Sequence, residues 1–447
     1  GNVSKVFSFG KHDLTVYGIG YYGFAFQPGL IPIDRKTPGD TYDARQQEET
    51  SNGSLILNDI WHLTPQRQLQ FSGFYRYYTL DVRPNFGDGL IRQSEHRNVN
   101  AEDLLYAEHF NSKFSLLAGA DFRREQPSAL DLDHINEAGR FDPVTANNIL
   151  LNFYSPFVSA DGAFLRFLHY NIGYRRDEIG FDNQDLRRPD LSFSRHASIS
   201  SPKGTISLLP PEPVSAYLPS VSLSYGQAFH VNDPRIGTTA LEGGTIVSKA
   251  RSYQLAVSKT IARTDFRVIL AHITTAQQLA RISNDTGLQQ DEGPGLLKSI
   301  TVTARHNFAH GFIQALYARA DARDRITGEP TPEAPRLIWD LLGTADKLPF
   351  HLVARGEYEH VGIKPLGGGF LSVPVREFRG ALLRPFESKG IDVGLNVFIA
   401  SGYGGQTVET LALPGEGDPF DRVTGFPLRS SISASVTYRF RRGAAYR

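Results

Sequence analysis

The chain has 447 residues with 47 basic and 47 acidic side chains, 13 histidines, no cysteine and no methionine. Charge neutrality gives no footing for a polyanion partner or a nucleic-acid groove, and the lack of cysteine excludes disulfide frameworks, thiolate metal sites and thiol nucleophiles. Mean hydropathy is −0.29 and no apolar run approaches the roughly 18 residues of a membrane helix, whereas strands that show lipid only every second side chain stay open.

Period-two alternation punctuated by turn residues predicts a short strand over Val3–Phe9, ahead of the turn Gly10-Lys11-His12. Further strands are predicted near 12–26, 52–62, 67–82, 92–109, 113–126, 148–159, 163–180, 192–208 and 216–230. The series continues near 248–261, 264–282, 295–308, 312–323, 335–346, 350–360, 372–386, 391–401 and 428–440. In 248–261, Tyr253, Leu255, Val257 and Ile261 alternate with Ser252, Gln254, Ala256, Ser258 and Thr260. In the last segment Leu428, Ile432, Ala434, Val436, Tyr438 and Phe440 share one face, against Arg429, Ser431, Ser433, Ser435, Thr437 and Arg439. One face suits lipid and the other water.

The connections alternate between short and long. Short turns are predicted at 63–66, 110–112, 160–162, 262–263, 309–311 and 387–390, and long polar links at 27–51, 127–147, 231–247, 283–294, 324–334, 361–371 and 402–427. Such alternation is that of a membrane barrel, with tight turns at one end and extended loops at the other. A soluble sandwich has no reason to obey it, and a propeller would show blade-sized repeats. The reading is therefore an all-β fold: a transmembrane antiparallel up-and-down β-barrel, one domain over 1–447, with 18 to 19 strands of an expected total of about 22. On that count the first strands, any export signal and any plug lie N-terminal to Gly1.

Several stretches resemble, in order, the barrel of TonB-dependent outer-membrane receptors. Tyr21-Tyr22-Gly23-Phe24-Ala25-Phe26-Gln27-Pro28-Gly29-Leu30-Ile31-Pro32, followed by Arg45 and the segment through Trp61, is similar to the family's early aromatic strand and Pro-Gly-x-Ile-Pro loop. Asn85-Phe86, Gly87-Asp88 and Gln93 through Arg97 follow, then Ser201-Pro202-Lys203-Gly204 with Pro210. Pro219 to Phe229, Asp233-Pro234, Leu241-Glu242-Gly243 and Ala250-Arg251-Ser252-Tyr253 resemble the signature that leads into a tyrosine strand, with Gln254 where Glu is common and no Pro-Glu before it. Seven residues follow Phe440, the aromatic at which the family usually ends.

The resemblance implies a bacterial outer-membrane receptor that imports a scarce, large nutrient such as a siderophore. It implies energy coupling to the TonB protein through an N-terminal plug, with outer-membrane lipid and an extracellular ligand as the other partners. A monomer that is no enzyme and needs no cofactor is expected. The alternative is a passive porin-like channel; an outer-membrane enzyme would need a catalytic cluster that the sequence does not show.

Candidate site residues are few. His306 and His310 have helical spacing on a segment read as strand and turn, so no metal site is expected there. Gly367-Gly368-Gly369 precedes no helix and reads as a loop tip, not a phosphate cradle. By alternation Arg76, Arg123, Arg175, Arg305 and Arg439 point inward, where lumenal ion pairs with acids such as Asp121 and Asp392 are expected. Tyr42 and Arg45 of the 27–51 loop are the ligand-mouth candidates, because converging loops above a rigid wall are where binding sites are built.

Overall fold

The computed structural model describes residues 1–26, 31–32, 45–84, 90–136, 138–231, 247–276, 293–366, 369–386, 390–402, 407–410, 420–424 and 430–438. Nineteen strands form one sheet. They are β1 (Asn2–Phe9), β2 (His12–Phe26), β3 (Gln47–Thr64), β4 (Arg67–Val82), β5 (Ile91–Asn111), β6 (Phe114–Ile135), β7 (Phe141–Leu165), β8 (Leu168–Asp185), β9 (Phe193–Leu208) and β10 (Ser220–Val231). They continue as β11 (Val247–Ile261), β12 (Thr264–Thr275), β13 (Gly295–Phe308), β14 (Gly311–Asp324), β15 (Leu337–Leu348), β16 (Leu352–Val361), β17 (Val375–Phe386), β18 (Ile391–Ser401) and β19 (Ser431–Tyr438). Each pairs antiparallel with the next in the chain, the up-and-down order expected from the sequence. Among the described residues no ladder joins β1 to β19.

A second, three-stranded sheet shows how far the wall curls. Ile31–Pro32, in the link after β2, pairs with Phe420–Thr424, which pairs with Thr407–Thr410 in the link after β18. Backbone from the first long link thus meets backbone from the last, although sixteen strands lie between those links along the sheet. Long links follow β2, β10, β12, β14, β16 and β18, tight turns follow β1, β3, β5, β7, β11 and β13, and the two classes lie at opposite ends of the wall.

The register carries the period-two pattern around the wall. Leu208, Val221, Val257, Val268, Val302, Tyr317 and Trp339 stand opposite one another in turn across seven strands. Residue pairs facing each other across a ladder share a face, and the same face runs on to Ile432, Val436 and Tyr438. In a curled sheet convex side chains splay and concave ones crowd. On β14 Ile313, Ala315 and Tyr317 are exposed and Gln314, Leu316 and Ala318 half-buried, so the apolar face is the outer one. Ser433, Thr437, Gln254 and Ser258 fall on the inner face.

Aromatics edge the outer band at both ends. Toward the tight turns Phe9, His12 and Trp61 stack at 5.3 and 5.4 Å, and Phe164 meets Tyr170 at 5.3 Å. Toward the long links Phe122 meets Tyr154 at 4.9 Å, Tyr225 meets Tyr253 at 5.1 Å and Trp339 meets Tyr358 at 4.8 Å. Two aromatic rings around an apolar belt are the signature of a barrel that sits in a bilayer.

Three sequence expectations need correction. Ala160-Asp161-Gly162 is not a turn, because β7 continues to Leu165 and the reversal falls at Arg166-Phe167. Gly162 is a close-approach position in the ladder with Phe114: a Cβ there would lie 2.3 Å from the Lys113 carbonyl oxygen. Nor is 127–147 a long link, since β6 runs to Ile135 and β7 starts at Phe141. Those extensions let Leu130 pack on a buried cluster of Ile149, Leu151, Ile179, Phe181 and Ile199. Strand β3 likewise begins at Gln47, which shortens the 27–51 link.

Candidate functional site

Alternation places a chain of charged residues on the inner face of the taller strands, and the structure pairs them. Arg175 Nη1 bonds Asp121 and its Nε donates to Asp177 Oδ1 at 2.8 Å. Arg123 Nε lies 2.9 Å from Glu125, with its guanidinium 4.2 Å over the Phe153 ring. Arg76 donates to Asn52 at 2.7 Å, and Arg305 donates to Asn307 at 3.0 Å while covering Phe312 at 3.7 Å. The expected inward arginines are therefore held by wall partners, Asp121 among them. Asp392 lies on the inner face opposite Thr437, and Arg439 falls outside the described residues.

A cavity of about 460 Å³ opens beside Arg175, lined by Asp121, Asp177, Ser201, Lys203 and Gln227. Its place follows from a split in the wall. Strands β9 and β10 pair only from Lys203–Leu208 against Gly226–Val221; beyond that point the Gln227 side chain donates to the Ser200 carbonyl at 2.6 Å. Asp177, 1% exposed, has one carboxylate oxygen on Arg175 and the other without a partner, and the Ser201 hydroxyl is also unpartnered. Such groups are costly to bury unmatched, so these two atoms give this part of the lumen hydrogen-bonding capacity.

A second inner cluster had no place in the sequence reading. Glu357 and Glu359 on β16 and Glu377 on β17 surround Arg379, whose Nη1 lies 3.4 Å from Glu357 and 3.7 Å from Glu359 and whose Nη2 bonds Glu377. The signal was available: acids two apart on one strand, facing Glu-x-Arg on the next, occupy the inward positions of both. The lumenal face of β9 and β10 carries paired hydroxyls instead. Ser207 meets Ser222 at 2.8 Å and Thr205 meets Ser224 at 2.9 Å.

Of the ligand-mouth candidates, Arg45 is exposed two residues before β3, at the long-link end, and Tyr42 lies outside the described residues, as do Gly367 and Gly368. His306 accepts no metal partner set; its ring meets the Thr264 hydroxyl at 2.9 Å, and no group of three acids or histidines is placed for a metal ion among the described residues.

Fold and inner face together define a large curled antiparallel wall, apolar outside and polar within. The wall matches, in fold, several TonB-dependent outer-membrane siderophore receptors. The ferric-catecholate import receptor Fiu from K12 E. coli superposes with a TM-score of 0.75 at 10% identity over 98% of this chain and 74% of that one. The siderophore receptor PiuA from Acinetobacter baumannii gives 0.74 at 10% identity over 97% and 73%. The ferric citrate transporter FecA gives 0.72 at 12% identity over 95% and 67%. No family model and no curated protein matches the sequence.

Proposed function

We propose that this chain is the barrel of a bacterial outer-membrane receptor that imports a scarce, large ligand of siderophore type, as a monomer, with energy coupling through a plug attached N-terminally to this barrel. One observation carries the reading: a nineteen-stranded wall with an apolar outer belt encloses an inner face of ion pairs and unmatched hydrogen-bonding groups. Asp177, a buried and half-satisfied carboxylate on the inner face, supports a wall that receives a folded plug over one that is only a water-filled pore. Strands beyond the nineteen close the gap between β1 and β19; those two strands run in the same direction, so an odd number of antiparallel strands fits between them. Ligand enters at the long-link end, where the links after β2 and β18 are joined.

The test is removal of the 33–44 tip together with Arg45. Ligand uptake by cells is expected to fall while the amount of protein inserted in the outer membrane is unchanged. Undiminished uptake, combined with loss of uptake on cutting a tight turn such as 65–66, would place the entrance at the other end. Steady ion conductance by the whole protein without a coupling partner would favour the porin-like alternative.

A further inference from the structure

The outer face of β11–β14 carries a feature that the transport reading leaves unused. Above the apolar row of Val257, Val268 and Val302, the register stacks Leu255, Leu270 and Ile300, and above these Tyr253, His272 and Lys298. Arg319 stands opposite Ile300, and Asp321 opposite Lys298. Lys298 and Arg319 are thus diagonal neighbours on adjacent strands, about 7 to 8 Å apart at the backbone and within joint reach of one small anion. Both are exposed, and neither has a carboxylate partner among the described residues. Asp321 is the one acid on the outer face of these four strands, and it is taken by Arg323, whose Nε lies 2.8 and 3.0 Å from its two oxygens.

The outer face of β8 and β9 looks different toward the long links. There Arg176 donates to Glu178 at 2.6 Å, and His196 and Ser198 close on the same carboxylate at 3.2 and 3.0 Å. A shallow cleft of about 490 Å³ lies under the unpaired cations, with Leu223, Leu255 and Leu270 as its floor and His272, Lys298, Arg319 and the Arg323-bound Asp321 along its rim. The floor runs toward the middle of the apolar belt and the rim toward the long links. An apolar slot that ends in unpaired cations at the edge of the belt has the shape and polarity of a phospholipid: chain below, phosphate above.

We propose that this face binds a membrane lipid through its phosphate, held between Lys298 and Arg319 with His272 beside it, and one acyl chain laid over Leu223, Leu255 and Leu270. The proposal rests on the membrane-barrel reading above. Arginine suits the planar, multidentate contact and lysine the point charge, and each basic residue near an anionic lipid surface strengthens binding about fivefold.

The experiment reconstitutes the whole protein in phosphatidylcholine bilayers doped with phosphatidic acid, extracts it gently, and counts the retained lipids by mass spectrometry. Wild type is expected to enrich phosphatidic acid over phosphatidylcholine, by about fivefold for each of the two cations. Lys298→Gln/Arg319→Gln is expected to abolish that enrichment, while Lys113→Gln/Arg166→Gln, which removes equal charge at the tight-turn end, keeps it. Equal retention of the two lipids by wild type, or enrichment that survives Lys298→Gln/Arg319→Gln, overturns the lipid site and leaves the barrel reading standing. Displacement of phosphatidic acid by inorganic phosphate would assign the cations to a soluble anion and likewise overturns it. A protein that fails to enter bilayers at all defeats the membrane reading and the lipid site together.

Discussion

The wall has two sectors built on one pattern. Strands β5 to β8 are 18 to 25 residues long, and β12 to β15 are 12 to 14. About 9 to 11 tilted residues cross a bilayer, so the short sector is little more than a membrane wall while the tall one stands well clear of it. Beyond the belt no lipid covers the outer face, and the sheet must find its cover within the protein. The tall sector does so with the inward cluster around Ile179 and Phe181, 0% and 1% exposed, and with ion pairs that tie strand to strand. The short sector has lumenal hydroxyls and no such cluster, and it relies on the bilayer for its apolar face. Length beyond the membrane, not a change of pattern, separates a self-supporting sheet from a lipid-supported one.

The sharpest break in that comparison is Phe181→Ala. Emptying the centre of the buried cluster is expected to cost about 3 to 5 kcal/mol, seen as a lower urea midpoint for protein folded in vesicles; a loss of under 1 kcal/mol would mean that the tall sector does not hold itself up. Next comes Val268→Arg, at the middle of the three outward apolar residues of β12, expected to cost about 2 to 4 kcal/mol in the same assay. Its neighbour in the comparison is Thr301→Arg, which faces the lumen one strand away and is expected to lose less than about 1 kcal/mol. Equal losses at the two positions would show that the assigned faces are wrong. The smallest effect is expected from Ser207→Ala on β9, between the two sectors, which removes one of the hydroxyls paired across β9 and β10 at a cost of about 0.5 to 1.5 kcal/mol; a larger loss would show that lumenal hydroxyl pairs support the wall between the sectors.

Much of this was legible in the chain itself. Alternation located nineteen strands, several to the residue, as at 67–82, 295–308 and 391–401. It also assigned faces, because a side-chain period of two is a local property of extended backbone. Turn chemistry was less dependable. Ala160-Asp161-Gly162 has the composition of a turn, yet its glycine serves a tight cross-strand approach that only the facing strand creates. The 127–147 stretch reads as polar linker, yet Leu130 and Leu132 at alternate positions find buried places once β7 stands beside them.

The sequence by itself determined the strand order, the apolar belt and the inward direction of Arg76, Arg123, Arg175 and Arg305, since each follows from neighbours one or two residues away. Only the tertiary structure decided which charges meet. Arg175 lies 54 residues from Asp121 along the chain, and Arg379 is 22 from Glu357, so their pairing depends on register summed across intervening strands. The same holds for Lys298 and Arg319, ordinary surface residues until the ladder sets them side by side above an apolar cleft. It holds too for the split between β9 and β10, which leaves Asp177 and Ser201 facing a cavity with unmatched groups. Faces are a matter of local parity, whereas partners depend on shear across the whole sheet, which no single stretch of sequence encodes.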